Sequence, residues 1–257
     1  MTVDELLELQ SALVTCLTDP RALKDFRAGA AVWKRLLFVD PDLLELMSSL
    51  YQGKRLDKLT RVLPKTLAYL ASEMADLTRE FMKHHPPLNA DSYTNACQFY
   101  GFLRRRWRTR PPNPPFLPDL AYCELARVGL ERQAVLGRPA VMPSASPLGG
   151  RSLMIRRSQR IRLYVSQYDI QSLFDTRGYD GAAIVRQPMF IVLSRPLDSL
   201  TGRIFSIDRE LFVLLRGLND WTMVSLADEP HNSEQTIAFL SRLERLGFLE
   251  ASLCGSE

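Results

Sequence analysis

Apolar positions in the first half of the chain recur every three and four residues. Leu6, Leu9, Leu13 and Leu17 form one such stripe, and Leu23, Phe26, Ala30, Trp33 and Leu37 form a second. Asp40 before Pro41 marks a helix start, with Leu43, Leu44 and Met47 behind it and Gly53 as its predicted end. A fourth stripe begins near Pro64 with Leu67, Leu70, Met74, Leu77 and Phe81. A fifth carries Tyr93, Ala96, Tyr100, Leu103 and Trp107, and a sixth runs from Leu120 to Leu136. Amphipathic helices this short must pack on one another, so the pattern predicts an α-helical bundle over residues 1–137.

The period then changes. Residues 138–152, within the stretch GRPAVMPSASPLGG and its sequel, are rich in Pro, Gly and Ser and predict a linker. Residues 153–257 begin with a strand pattern at Ile161, Leu163 and Val165 and a short helix at 170–175. Phe190 and Val192, then Arg203, Phe205 and Ile207, alternate around a Pro196–Gly202 break and predict a β-hairpin. Asp208 is a candidate N-cap for a helix with Leu211, Leu214 and Leu215, stopped by Gly217. A second short helix is predicted through Met223, Val224 and Ala227, and a third through Ile237, Leu240, Leu243 and Leu246 to Gly247. The predicted class is α+β: a helical bundle followed by a winged helix-turn-helix with a small antiparallel sheet.

Composition narrows the function little. The net charge is +4, from 33 basic and 29 acidic residues, which is too small to single out nucleic acid as the partner. The opening MTVDELLELQ is acidic where a secretory signal would be basic, and no apolar run spans a bilayer, so a cytoplasmic location without membrane contact is expected. Cys16, Cys97, Cys123 and Cys254 are widely spaced and predict reduced thiols, with Cys254 the one open to incidental surface chemistry. His84 and His85 precede two prolines at a helix end. Adjacent helical positions diverge by about 100°, so they suit a C-terminal cap better than a metal site. His231 is placed in a loop with no acidic partner. Nucleotide-binding and catalytic motifs are absent, and the chain is expected to be neither an enzyme nor a cofactor carrier.

Two basic clusters remain: Arg104, Arg105, Arg106, Arg108 and Arg110 on the fifth helix, and Arg151, Arg156, Arg157, Arg160 and Arg162 leading into the first strand. The first is a solvated helix end, a docking patch for a partner protein, for which Arg104, Arg105, Arg106 and Arg108 are the candidates, or a contact for nucleic-acid backbone. A winged helix can bind DNA with its last helix or take an extended peptide on its hairpin edge. The last helix offers only Gln235, Arg242 and Arg245 on its polar side, which favours peptide. The candidate peptide-binding residues are Arg203 and Phe205 on the hairpin and Thr236, Phe239, Leu240 and Leu243 on the helix. Phe239 is the sharpest of these because it lies off the apolar stripe.

Two resemblances accompany these readings. SIDRELFVLLRGLNDWTMVSLADEP and FLSRLERLGFLE resemble the recognition elements of peptide natural-product pathways. FRAGAAVWKRLLF, LLELMSSLYQ, REFMKHHPPLNADSY, FYGFLRRRW and PPFLPDLAYCELAR are similar, in that order, to the helical domain of a family first described as DNA-binding, whose members sit beside multinuclear non-heme iron enzymes. RLYVSQYDIQSLFD, ahead of the hairpin, resembles a segment of the same family. The family's usual tyrosine and arginine are represented here only by Val32, Trp33, Lys34 and Arg35. The resemblance implies a non-catalytic subunit that forms a heterodimer with a TIM-barrel iron oxidase and presents the cysteine of a ribosomally made precursor peptide to it. On this reading the iron belongs to the partner. The 3-thiaglutamate pathway is the first expectation, with methanobactin-type oxazolone formation beside it. A winged-helix DNA-binding regulator is the alternative, and a freestanding scaffold that binds only proteins, with no peptide groove, is a third reading.

Overall fold

The computed structural model describes residues 2–36, 38–85, 91–136, 152–175, 184–225 and 230–253. Most of the predicted linker, together with Leu37, Arg151, Ala227 and Cys254, lies outside them. The chain divides into two compact units, Met1–Leu117 and Pro118–Glu257. The boundary therefore falls ahead of the sixth predicted helix, where the sequence pattern placed it afterwards.

The first unit is helical: α1 (Val3–Thr18), α2 (Pro20–Arg27), α3 (Pro41–Val62), α4 (Pro64–Tyr69), α5 (Met74–His84) and α6 (Ser92–Thr109). Side chains cap four of these starts, satisfying amides that the first turn leaves without partners, while α4 and α5 begin without a side-chain cap. Thr2 and Glu5 form a capping box on α1, Asp19 caps α2, Asp40 caps α3 and Asp91 caps α6. Leu9, Leu13 and Leu17 of the first stripe pack against Cys16, Leu23, Phe26, Leu36 and Leu44.

Three predicted boundaries move. The second stripe is broken where Gly29 adopts φ +75°, so α2 stops at Arg27 and Trp33 lies on a separate 3₁₀ turn, Ala31–Leu36. The fourth stripe is likewise split, with Leu67 on α4 and Leu77 and Phe81 on α5, although all three stay buried. Gly53 does not end α3. Mid-helix glycine costs only about 1 kcal/mol, and the inward face continues through Leu44, Ser48, Arg55, Leu59 and Val62. That face carries Leu44; Leu43 and Met47 point to solvent, in line with Leu46 and Leu50.

The second unit contains α7 (Leu117–Leu136), β1 (Ser152–Arg157), β2 (Ile161–Ser166), α8 (Gln171–Asp175), β3 (Met189–Ser194), β4 (Arg203–Ile207), α9 (Arg209–Gly217), β5 (Thr222–Ser225), α10 (Pro230–Arg245) and β6 (Leu249–Leu253). They make two antiparallel three-stranded sheets, ordered β2-β3-β4 and β5-β1-β6. The predicted hairpin is β3–β4, with Val192 opposite Phe205 and Phe190 opposite Ile207, and the predicted extra strand is β2.

Thr222–Ser225 is a strand where a helix was predicted. Val224 turns into the core while Met223 is exposed, a period of two that the pairing with β1 imposes. Strands β1 and β6 were not predicted, and His231 falls within the first turn of α10 and not in a loop. On α9 the buried side chains are Phe212 and Leu215, while Leu214 is exposed.

Both faces of β3 are covered, since Ile191, Val192, Leu193 and Ser194 are all buried. One face joins Ile155, Leu215, Leu240, Leu243 and Phe248 in the core. On the other, Tyr164, paired with Ile191, stacks on Tyr122 of α7 at 4.3 Å. Asp119 of α7 binds the Tyr164 and Ser166 hydroxyls at 2.6 Å and the Gln167 amide at 3.0 Å. These bonds make α7 part of the second unit.

Candidate functional site

Strand β4 is the edge of its sheet, as peptide addition requires. In an antiparallel ladder alternate residues turn their amides away from the partner, and here the outward ones are those of 202, 204 and 206. Two of these already have acceptors. Glu131 Oε1 takes the Gly202 N–H at 2.9 Å, and Gln171 Oε1 takes the Ser206 N–H at 2.8 Å. Helix α7 reaches Gly202 because that residue lacks a side chain: a Cβ there would lie 2.7 Å from Arg127 Cγ and 3.0 Å from its carbonyl oxygen.

The six candidate peptide-binding residues separate by environment. Phe205 packs edge-on against Phe248 at 5.3 Å and shares a core cluster with Leu240 and Leu243. Leu240 and Leu243 belong to the buried core of the second unit, and Phe205 is partly buried against it. Thr236 is half-buried, Arg203 is exposed, and Phe239 is 47% exposed on the solvent side of α10. Glu131, Gln171 and Gly202 were not foreseen, because no local pattern announces which distant side chain will meet a strand edge.

The candidate docking arginines lie at the end of α6, with distinct partners. Arg104 sits 5.8 Å from the Tyr100 ring, Arg105 Nη2 contacts His85 Nε2 at 2.9 Å, and Arg106 pairs with Glu80. Arg108 is exposed. Of the second cluster, Arg156 donates from Nε at 2.8 Å and Nη2 at 2.5 Å to the single oxygen Oε2 of Glu250, and lies 4.6 Å from the Trp221 ring centroid.

His85 closes α5, its N–H bonded to the Phe81 carbonyl at 2.9 Å, so the pair does stand at a helix end. Its own carbonyl accepts from Arg55 Nη1 at 2.5 Å. Burial holds the ring below the ordinary histidine range, helped by Arg105, Arg55 and His84. Arg105 has only donors, so Nε2 must offer its lone pair and the proton must sit on Nδ1 of a neutral ring.

The stability consequence has a definite sign. The unfolded chain takes up this proton near pH 6.5, before the folded chain does. His85 therefore costs no stability above that value and lowers stability as pH falls toward its depressed folded pKa. Urea unfolding between about pH 8 and pH 5 should show wild type losing more stability on the acid side than His85→Asn. Parallel curves would contradict this.

Cys16 and Cys123 are buried, and Cys97 is half-buried; among the described residues none of the three forms a disulfide. Burial and Asp19 push the Cys16 thiol up to about 11, and burial raises Cys123 further, so neither is a nucleophile at neutral pH. Among the described residues no group of three or more His, Cys, Asp or Glu is placed to hold a metal ion, and no helix is long and apolar enough to cross a membrane. Neither a family model nor a curated protein matches the chain.

Proposed function

We propose that this protein is a non-catalytic recognition subunit: its second unit takes an extended segment of a ribosomally made precursor peptide, and its helical unit docks an iron-dependent TIM-barrel oxidase that modifies the peptide's cysteine. The sequence resemblances motivate the identity of pathway and partner. On this reading the first unit acts as a helical bundle and the second as a winged helix-turn-helix. The subunit's contribution is proximity, since a bound peptide has its cysteine at high effective concentration beside the partner's metal centre.

The observation that carries this reading is the chemistry of the β4 edge. Two of the three outward amides, those of Gly202 and Ser206, are held by side-chain oxygens, one a carboxylate and one an amide. A docked peptide strand offers carbonyl oxygens to the same donors, so it replaces acceptor with acceptor and leaves no buried amide unpaired. Phe239 supplies an exposed aromatic anchor. In the helical unit, Leu43, Leu46, Met47 and Leu50 are exposed along one stripe of α3, a face suited to a protein partner and more apolar than the arginines at the end of α6.

The Glu131→Ala/Gln171→Ala double variant tests the edge. At about 1 kcal/mol net per hydrogen bond, peptide that no longer displaces these side chains should bind about five- to thirtyfold tighter. Unchanged affinity in a folded variant would place the peptide elsewhere. Salt-sensitive DNA binding without peptide binding would favour the regulator alternative.

A further inference from the structure

A second site of different chemistry lies wholly within the helical unit. The ends of α5 and α6 enclose a half-open cleft of about 780 Å³, whose lining includes Glu80, His85, Phe102, Arg105, Arg106 and Arg110. Volumes of this order suit small molecules. Its lining places three guanidinium groups against one carboxylate. The two helix C-termini contribute roughly half a negative charge each, so about one positive charge remains.

Behind the cleft stands a further cation. Arg55 of α3 is only 5% exposed, yet among the described residues its partners are neutral: Nε bonds Asn95 Oδ1 at 2.9 Å, Nη1 bonds the His85 carbonyl, and the guanidinium lies 4.3 Å from the Phe81 ring centroid. Its Nη2 is buried without any hydrogen-bond partner. The following segment, residues 86–90, contains no acidic side chain that could neutralise it. Buried charges are ordinarily paired, because removing an ion from water costs several kcal/mol. His85 joins the two features, holding Arg55 through its carbonyl and Arg105 through its ring.

We propose that this cleft binds the oxyanion of a small molecule, a phosphate or a carboxylate, with Arg105 and Arg110 as its direct ligands. Arg110 is exposed at the mouth, and its fork of donors matches either group. Phe102 provides an apolar floor. Glu80 opposes the ligand and also engages Arg106, which fixes the sign of its effect on affinity. The inference does not depend on peptide recognition, since none of its residues lies in the second unit.

Calorimetric titration of the full chain with inorganic phosphate and, separately, with citrate tests it, using chloride at matched ionic strength as the blank. Saturable binding of phosphate alone would assign a phosphorylated ligand, and of citrate alone a carboxylate ligand; either outcome supports the site. Arg105→Ala and Arg110→Ala should each weaken binding about tenfold or more, consistent with loss of a charged hydrogen bond. Glu80→Gln should tighten it several-fold, a gain that a misfolded variant could not produce. No saturable binding of either probe at tens of millimolar, or binding that neither Arg105→Ala nor Glu80→Gln changes, would overturn the proposal.

Discussion

Gly247→Ala is expected to destabilise the second unit by about 3 kcal/mol or more. Helix α10 ends in a Schellman motif: the Gly247 N–H bonds the Glu244 carbonyl and the Phe248 N–H bonds the Leu243 carbonyl, each at 2.8 Å. The motif puts Gly247 at φ +74°, which costs a residue with a side chain about 1–2 kcal/mol. A steric term adds to that. The new Cβ would lie 2.6 Å from the Arg195 carbonyl oxygen and 3.1 Å from Ser194 Oγ, so backbone must move. Ser194 Oγ donates to the Leu246 carbonyl at 2.6 Å, and the shift would break this tie between β3 and α10. Urea unfolding monitored by Trp221 fluorescence, in a Trp33→Phe/Trp107→Phe background that leaves it the sole tryptophan, should report the loss; a change below about 1 kcal/mol would mean that the turn relaxes freely.

Phe239→Asp should abolish peptide binding, by at least about thirtyfold if Phe239 is an anchor worth 2 kcal/mol. Its neighbours on α10 make the substitution informative. Leu240 and Leu243 face the core, so their truncation would confuse binding with folding. Phe239 is half exposed, and an exposed substitution usually changes stability by no more than about 0.5 kcal/mol. Isothermal titration with the precursor peptide, beside a thermal melt of the same variant, separates the two effects. A variant that melts early would show Phe239 to be core; one that folds and still binds would remove it from the site.

These two residues also show what was legible in the sequence. Gly247 after an apolar stripe marked the end of α10, and the position of Phe239 off that stripe marked it as exposed. Both signals are local. The hairpin, β2, α8 and the capping aspartates at 40 and 208 were legible for the same reason. Pairing in space was not. Thr222–Ser225 is too short for its own period to decide between helix and strand, and β1 decides it. The acceptors on the β4 edge come from Glu131 and Gln171, 71 and 35 residues from the amides they hold. Arg55 was hidden by a boundary error: with α3 carried past Gly53, it falls on the face of Leu44 and Leu59 and reads as a buried cation.

The central claim is recognition of a peptide on behalf of a partner. Its most direct measurement is the affinity of a labelled precursor peptide for the partner oxidase, by fluorescence anisotropy, with and without this chain. Tight binding only when this chain is present, lost again with Phe239→Asp, is the expected result. Equal affinity in its absence, or no binding by this chain at all, would contradict the account.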